Sequence, residues 1–323
     1  MDKLEKVVRA GEKAFLLKVE TSADSRDYEK YERLRNEIWG FPEDNLPGSR
    51  NLMCENFLHD GGALFIGVYT LGLAGGDPPE KRFVAFSYGF VGVKDKKTAF
   101  KKTANLRFYS QYTGIREEFR GSGLGVAIKE FQREKVLDLF GINTITCTFD
   151  PLTGVNAWRN VHHFGMEVED YRVSTYGEYG GLLNRLDVPS DRFFMAWDLR
   201  RPAASGESPW ASAWTEDLAL IRCREEVVAG RDGPLELETL TDIGPEPTEE
   251  IHFARIPRDF YAMLRETDVD RPDVREIPVR WRAGTRELFL KLFSGGYAVA
   301  DFFSAPGRRP RNYYVLRKTD GEG

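Results

Sequence analysis

This 323-residue chain is poor in the residues that cross-link or ligate, with three cysteines and four histidines. Cys54, Cys147 and Cys223 form an odd set without paired spacing, which excludes a disulfide framework and a thiolate metal site. His162 and His163 are neighbours and no His-x-x-x-His spacing occurs, so no metal is expected. No apolar run approaches membrane-spanning length, so no membrane partner is expected. An excess of positive charge is also missing. The 46 Lys and Arg against 51 Asp and Glu leave a net charge of −5, the wrong sign for general nucleic-acid binding. The opening residues, Met1 to Lys6, are charged too early for a signal peptide, and a cytoplasmic location is expected. Length and a 41% hydrophobic content suffice for a large core and suggest two domains. The oligomeric state stays open, a homodimer included.

What the chain does have is a glycine-rich turn between a strand and a helix. Ala104 to Ile115 is rich in β-formers, among them Phe108, Tyr109 and Tyr112. Leu124, Ala127, Ile128 and Phe131 recur at helical spacing. Between these segments, Gly121, Gly123 and Gly125 alternate with Ser122 and Leu124. Glycines admit a ligand close to the backbone, and the first N–H groups of a helix lack partners, so the stretch predicts a bound pyrophosphate. A dinucleotide fingerprint fails, because the sixth position from Gly121 is Val126 and from Gly123 is Ile128. A P-loop fails as well, because Gly125-Val126-Ala127 offers neither lysine nor hydroxyl. The bland alternative is a glycine turn with no ligand.

What fits is Arg120-x-x-Gly123-x-Gly125, with Ile115 five residues before the arginine. This resembles the acyl-CoA signature of the GNAT acetyltransferase superfamily. The resemblance implies an α/β fold, with the α+β mixed sheet of a GNAT acyl-CoA N-acyltransferase, and acetyl-CoA or another acyl-CoA as cofactor. It implies that the amides of Gly121, Ser122, Gly123, Leu124, Gly125 and Val126 cradle the pyrophosphate, with Arg120 beside them. The backbone of Thr113 and Ile115 would pair with the pantetheine arm as an added strand. Glu117 departs from the proline often found there.

In chain order, Ala14–Val19 is expected as the first strand, followed by a helix through Tyr31, Leu34 and Ile38 capped by Ser22 or Asp24. A second short helix over Pro47–Leu58 comes next. Strands over Ala63–Tyr69 and Phe83–Val93, joined by a Gly72–Pro79 turn, precede the central strand and helix. A strand at Ile142–Phe149, a helix at Val155–Phe164 and strands at Val168–Tyr176 and Phe193–Leu199 follow. That order extends the resemblance over residues 1–200. Thr148 to Leu152, Asn156-Ala157, Asn160, His163 to Gly165, Tyr176-Gly177, Asp191, Arg192 and Trp197 resemble a narrower family of predicted GNAT proteins. Ile128-Lys129 and Gln132-Arg133 match that family's main helix. Its chemistry is assigned only by superfamily.

Pro202–Pro209 reads as a linker, and residues 201–323 as a smaller α+β module shaping the acceptor pocket. Val228–Glu250 is acidic with turn signals, His252–Ile256 reads as a strand, and a helix runs from Pro278 to about Ser294. Its Arg280, Arg282 and Arg286 are expected on a solvated face. Ala298–Ser304 and Asn312–Arg317 read as a closing hairpin.

Acyl transfer to an amine needs a base, oxyanion stabilisation and a proton for the leaving thiolate. In many GNAT enzymes a tyrosine four residues before the helix-ending glycine protonates the sulfur; here that position is Val161. The catalytic expectations are Asp150 as amine base and Asn160 or Tyr176 near the sulfur. Asp150 also suits an ordinary Asp-Pro turn. Asn156 is expected to bind cofactor, or to brace its helix. Arg192 is expected to clamp an acceptor carboxylate, or to pair internally with Asp191. His162 and His163 are expected to be ordinary half-buried histidines. The expected function is CoA-dependent N-acyl transfer to a small-molecule amine; the alternative is a catalytically weak acyl-CoA-binding protein.

Overall fold

The computed structural model describes residues 4–22, 24–40, 61–71, 82–177, 180–244, 247–305 and 309–319. The helix expected over Pro47–Leu58 and the turn over Gly72–Pro79 lie outside them. Contacts divide the chain into two compact units: residues 1–147 with 198–200, and residues 148–197 with 201–323.

In the first unit, β1 (Glu5–Ala10) and β2 (Lys13–Val19) form an antiparallel hairpin. The first of these was hidden by its charge, since Glu5, Lys6 and Arg9 fall on both faces and leave only Val7, Val8 and Ala10 apolar. Asp24 accepts a hydrogen bond from the Arg26 amide and opens a short 3₁₀ turn that leads into α1 (Glu29–Trp39). Strands β3 (Ala63–Leu71), β4 (Phe83–Val93) and β5 (Leu106–Ile115) extend the sheet antiparallel. Helix α2 (Leu124–Lys135) then crosses to β6 (Thr144–Phe149), which pairs parallel with β5. The unit is therefore a mixed α/β sheet in the order β1-β2-β3-β4-β5-β6.

In the second unit, α3 (Gly154–Ala157) continues as a π-helical turn over Trp158–His163, followed by the antiparallel pair β7 (Glu167–Arg172) and β8 (Arg192–Asp198). The acidic stretch folds as a hairpin of β9 (Ile221–Gly230) and β10 (Gly233–Ile243). Its glutamates mask a strand period, because Glu225 and Glu226 face solvent or arginines while Glu238 is buried against Arg255. Strand β11 (Ile251–Ile256) is followed by α4 (Phe260–Glu266), α5 (Pro272–Arg275) and α6 (Ile277–Ser294). Strands β12 (Tyr297–Ala305) and β13 (Arg311–Lys318) complete a sheet in the order β11-β13-β12.

The division after Cys147 has a packing cause. The fully buried Phe193 ring of β8 meets Phe149 at 5.9 Å, Tyr171 at 5.7 Å, Phe289 at 4.9 Å and Tyr314 at 5.5 Å between centroids. Residues 148–197 therefore share one aromatic core with α6 and β13, at distances suited to edge-to-face contact. The expected linker is docked rather than free. Ala204 donates to the His163 carbonyl, His162 contacts the Gly206 carbonyl, and Ser208 donates to Asp301.

Candidate functional site

The glycine turn lies in the first unit. After β5, a 3₁₀ turn over Glu117–Phe119 delivers Arg120 to Gly125 onto the start of α2. Gly121 and Gly123 have φ of 73° and 86°, the left-handed region in which a side chain is strained. A Cβ built on either meets nothing within 4 Å, so the space above the turn is open. The amides of residues 121–125 have no hydrogen-bond acceptor among the described residues, and the N-cap Gly123 provides no side chain to satisfy them. Five donors at the positive end of a 12-residue helix form an anion cradle. Arg120 sends Nε back to the Ile115 carbonyl at 3.0 Å and leaves its terminal nitrogens exposed. Ser122 donates to Phe119, which shapes the turn.

Strand β5 presents a free edge beside this cradle. The Arg116 amide donates to Val84, so Ile115 opposite Ala85 and Thr113 opposite Ser87 are the non-hydrogen-bonded pairs of the ladder. Their backbone groups point away from β4. On that side β6 pairs with β5 only at Phe108 and Tyr109, so the edge from Gln111 to Ile115 is open within the unit. The Ile115 carbonyl already accepts from Arg120, and its N–H is the group left to the edge.

A buried polar chain fixes this strand to α2. Lys129 Nζ donates to Ser110 at 2.6 Å and to Gln132 Oε1 at 3.0 Å. Gln132 donates to Ser87 at 3.0 Å, and Ser87 meets the Thr113 hydroxyl at 2.9 Å. The Lys129 and Gln132 singled out in sequence thus hold the strand from behind, at its bulge at Gln111, opposite Tyr88 and Gly89 of β4. Gly89 is required there, because a Cβ would lie 2.3 Å from the Tyr109 carbonyl oxygen.

No protein-family model matches the chain, and no curated protein matches it in sequence. It is similar in structure to Arabidopsis thaliana NAA60 in complex with acetyl-CoA, at 10% identity over 56% of this chain and 99% of that one, with a TM-score of 0.41. Mycobacterium smegmatis RimJ in complex with CoA-disulfide matches at 13% identity over 60% and 86%, with a TM-score of 0.41. Mutant forms of the Vibrio cholerae spermidine/spermine N-acetyltransferase SpeG match at 11% identity over 58% and 94%, with a TM-score of 0.40. Neither activity nor substrate carries over from likeness at that level.

The second unit gathers Asp150, Tyr176 and Arg192 at the end of β6. Asp150 is 5% exposed and pairs with Arg282, with Arg192 at 3.4 Å. Burial alone would raise its carboxyl; the Arg282 and Arg192 guanidiniums outweigh burial and hold it below the ordinary carboxylate range. A carboxylate held ionised between two guanidiniums is a poor proton acceptor, which speaks for a structural role over the expected amine base. Arg192 also donates to the Asp191 carbonyl at 2.7 Å and lies 5.4 Å from the Tyr176 ring. An acceptor clamp would have to compete with these internal partners. The expected Asp191–Arg192 side-chain pair is replaced by Asp191 with Arg286, two contacts of 2.8 Å, and with the Tyr171 hydroxyl at 2.8 Å.

Tyr176 is 48% exposed, and its hydroxyl meets Thr148 Oγ1 at 2.5 Å. Asn160 is buried and accepts from Arg159 Nε at 3.1 Å. Asn156 donates to Thr153 at 3.1 Å and accepts from Arg159 at 2.9 Å, which is the bracing geometry. Around Val161 the helix is π-type, with Phe164 donating to Arg159 five residues back. Side-chain directions counted at α-helical pitch from Gly165 therefore do not apply. His162 is 7% exposed between Asp301 and the Gly206 carbonyl, 3.0 Å from each. His163 stacks on Trp158 at 5.4 Å.

Sequence reading missed Arg282 and Arg286 as members of this cluster. Arg282 is 1% exposed, not solvated. The signal was present, since Arg282, Thr285, Phe289 and Leu292 share one helical face, but arginines on that face read as surface residues.

Proposed function

We propose that this protein is a CoA-dependent N-acyltransferase that transfers acetyl, or another acyl group, directly from the CoA thioester to the amine of a small molecule. The observation that supports it most is the set of five unpartnered amides on the left-handed glycine turn, beside the open edge of β5. The backbone of Gly121 to Gly125 with Arg120 would hold the pyrophosphate, and Thr113 and Ile115 the pantetheine arm; the Val126 amide, expected in the same set, donates instead to the Gly123 carbonyl. A dinucleotide or ATP reading is not supported, because the turn lacks the glycine at its sixth position and the lysine that those ligands use.

Among the expected catalytic side chains, Tyr176 is the half-exposed one and the one with an O–H, shared with Thr148, and we assign it the proton for the leaving thiolate. Arg192, under its ring, positions it. Asp150 fixes Arg192 and Arg282 rather than taking a proton. Asn156 and Asn160 stiffen the helix that follows. Residues 201–323 contribute to the acceptor side through Arg282 and Arg286, which reach Asp150 and Asp191. A cytoplasmic location fits this reaction; among the described residues no helix is long and apolar enough to cross a membrane.

The test is calorimetry with acetyl-CoA followed by a thiol-release screen across small amines. Wild type should bind acetyl-CoA, and Gly123→Asp should abolish binding by placing a side chain and a negative charge in the cradle. Equal affinity of a folded Gly123→Asp protein would refute the site. Binding without release of free CoA by any amine would favour the acyl-CoA-binding alternative.

A further inference from the structure

A second, separate site is built into the connection between β7 and β8. Residues 180–186 of that connection, the end of α4 with Asp268 and Arg275, and the β9–β10 turn line a half-open cavity of about 230 Å³ within the second unit. At about 30 Å³ per water molecule this is room for a small organic molecule rather than a nucleotide. Four arginines line it: Arg185, Arg231, Arg265 and Arg275.

The charges around the cavity are almost balanced, and the imbalance falls on one residue. Arg185 is buried, held by Asp187 at 2.6 and 3.0 Å and by the Thr267 hydroxyl at 2.9 Å. Arg275 pairs with Asp187 at 3.0 Å and Asp268 at 2.6 Å. Arg265 pairs with Glu266 at 2.9 Å. The four arginines thus face three carboxylates, and Arg231 is the cation with no side-chain partner among the described residues. Burial raises the Asp187 carboxyl less than the Arg185 and Arg275 guanidiniums lower it, so the balancing charge persists at neutral pH.

The remaining wall is aliphatic. Leu182 and Leu186 are 61% and 64% exposed, an unusual state for two leucines on one loop beside a cavity. Leu264 lies buried at the same cavity. A ligand that matches this wall carries one negative charge and a short branched or straight hydrocarbon. A phosphate dianion would bring more charge than the one free guanidinium offsets and would leave the leucines in water.

We propose that this cavity binds a small aliphatic monocarboxylate, its carboxylate on Arg231 and its hydrocarbon against Leu182 and Leu186. The cavity belongs to the second unit and the glycine turn to the first, and the proposal does not depend on acyl transfer.

The probe is 4-methylpentanoate, titrated calorimetrically into the full-length protein, with 4-methylpentanamide and inorganic phosphate as comparisons. Wild type should bind the acid saturably. The neutral amide should bind about tenfold to a hundredfold more weakly, the scale of a hydrogen bond to a charged group. Arg231→Gln should weaken the acid by the same factor and leave the thermal midpoint unchanged, because Arg231 is exposed on a turn. Leu186→Ser should weaken acid and amide alike. The proposal is overturned by no saturable binding of the acid at millimolar concentration, by equal binding of acid and amide, by phosphate binding more tightly than the acid, or by full affinity in Arg231→Gln.

Discussion

Replacing Asp150 by asparagine separates a structural carboxylate from a catalytic base. The substitution keeps the shape and removes the charge, leaving Arg282, 1% exposed on α6, without its carboxylate partner. Two nitrogens of that guanidinium, Nε and Nη1, already have no hydrogen-bond partner, so little remains to solvate it. Breaking a buried ion pair from one side costs about 3–5 kcal/mol. Urea unfolding followed by the fluorescence of Trp197 and Trp281, both buried in the same unit, should show a loss of that size at pH 7. The folded Asp150 carboxyl lies below its ordinary value of 3.8, so its contribution is fully present above that value and is lost as pH falls through the folded one. The gap between wild type and Asp150→Asn should therefore be constant from about pH 5 to 8 and close below about pH 4. A paired Asp150→Leu and Arg282→Met variant should recover part of the loss, because apolar replacement of a buried pair is often neutral while Arg192 still loses its carboxylate. The reasoning is refuted if Asp150→Asn stays within about 0.5 kcal/mol of wild type while removing a limb of the pH–rate profile. That result would restore Asp150 as the base.

Tyr176→Phe, with an acceptor in hand, should lower kcat by about 10²–10⁴-fold and leave the KM for acyl-CoA unchanged; an unaltered kcat would place the acid elsewhere. A chain ending at Arg201 should fail to fold its second unit, because Phe193 would lose the rings of Phe289 and Tyr314; a soluble truncated protein with near-ultraviolet dichroism intact would contradict the shared core. Gly89→Ala should cost about 1–3 kcal/mol by overpacking opposite the β5 bulge, read as a lower thermal midpoint, and a midpoint equal to wild type would show that the bulge can relax.

The sequence alone determined the glycine turn, the helix that follows it and the strands around it, because each rests on local signals. Glycine spacing sets the backbone, and apolar repeats at 2 or 3.6 residues mark the buried faces. The N-cap at Asp24 and helix α6 from Ile277 were legible for the same reason. Two strand elements were not. Strand β1 carries charge on both faces, and the β9–β10 hairpin carries it outward and, at Glu238, inward; that charge hides the period. The π-helical turn at Trp158–His163 was invisible too, since no residue type announces i→i+5 bonding. Only tertiary structure decided what Asp150, Asp191, Arg192, Arg282 and Arg286 do. Asp150 and Arg282 are 132 residues apart, and Asp191 and Arg286 are 95 apart. No local rule sees such a pairing. It exists because one aromatic core draws β8, α6 and β13 together, and buried charges brought into that core must then neutralise one another.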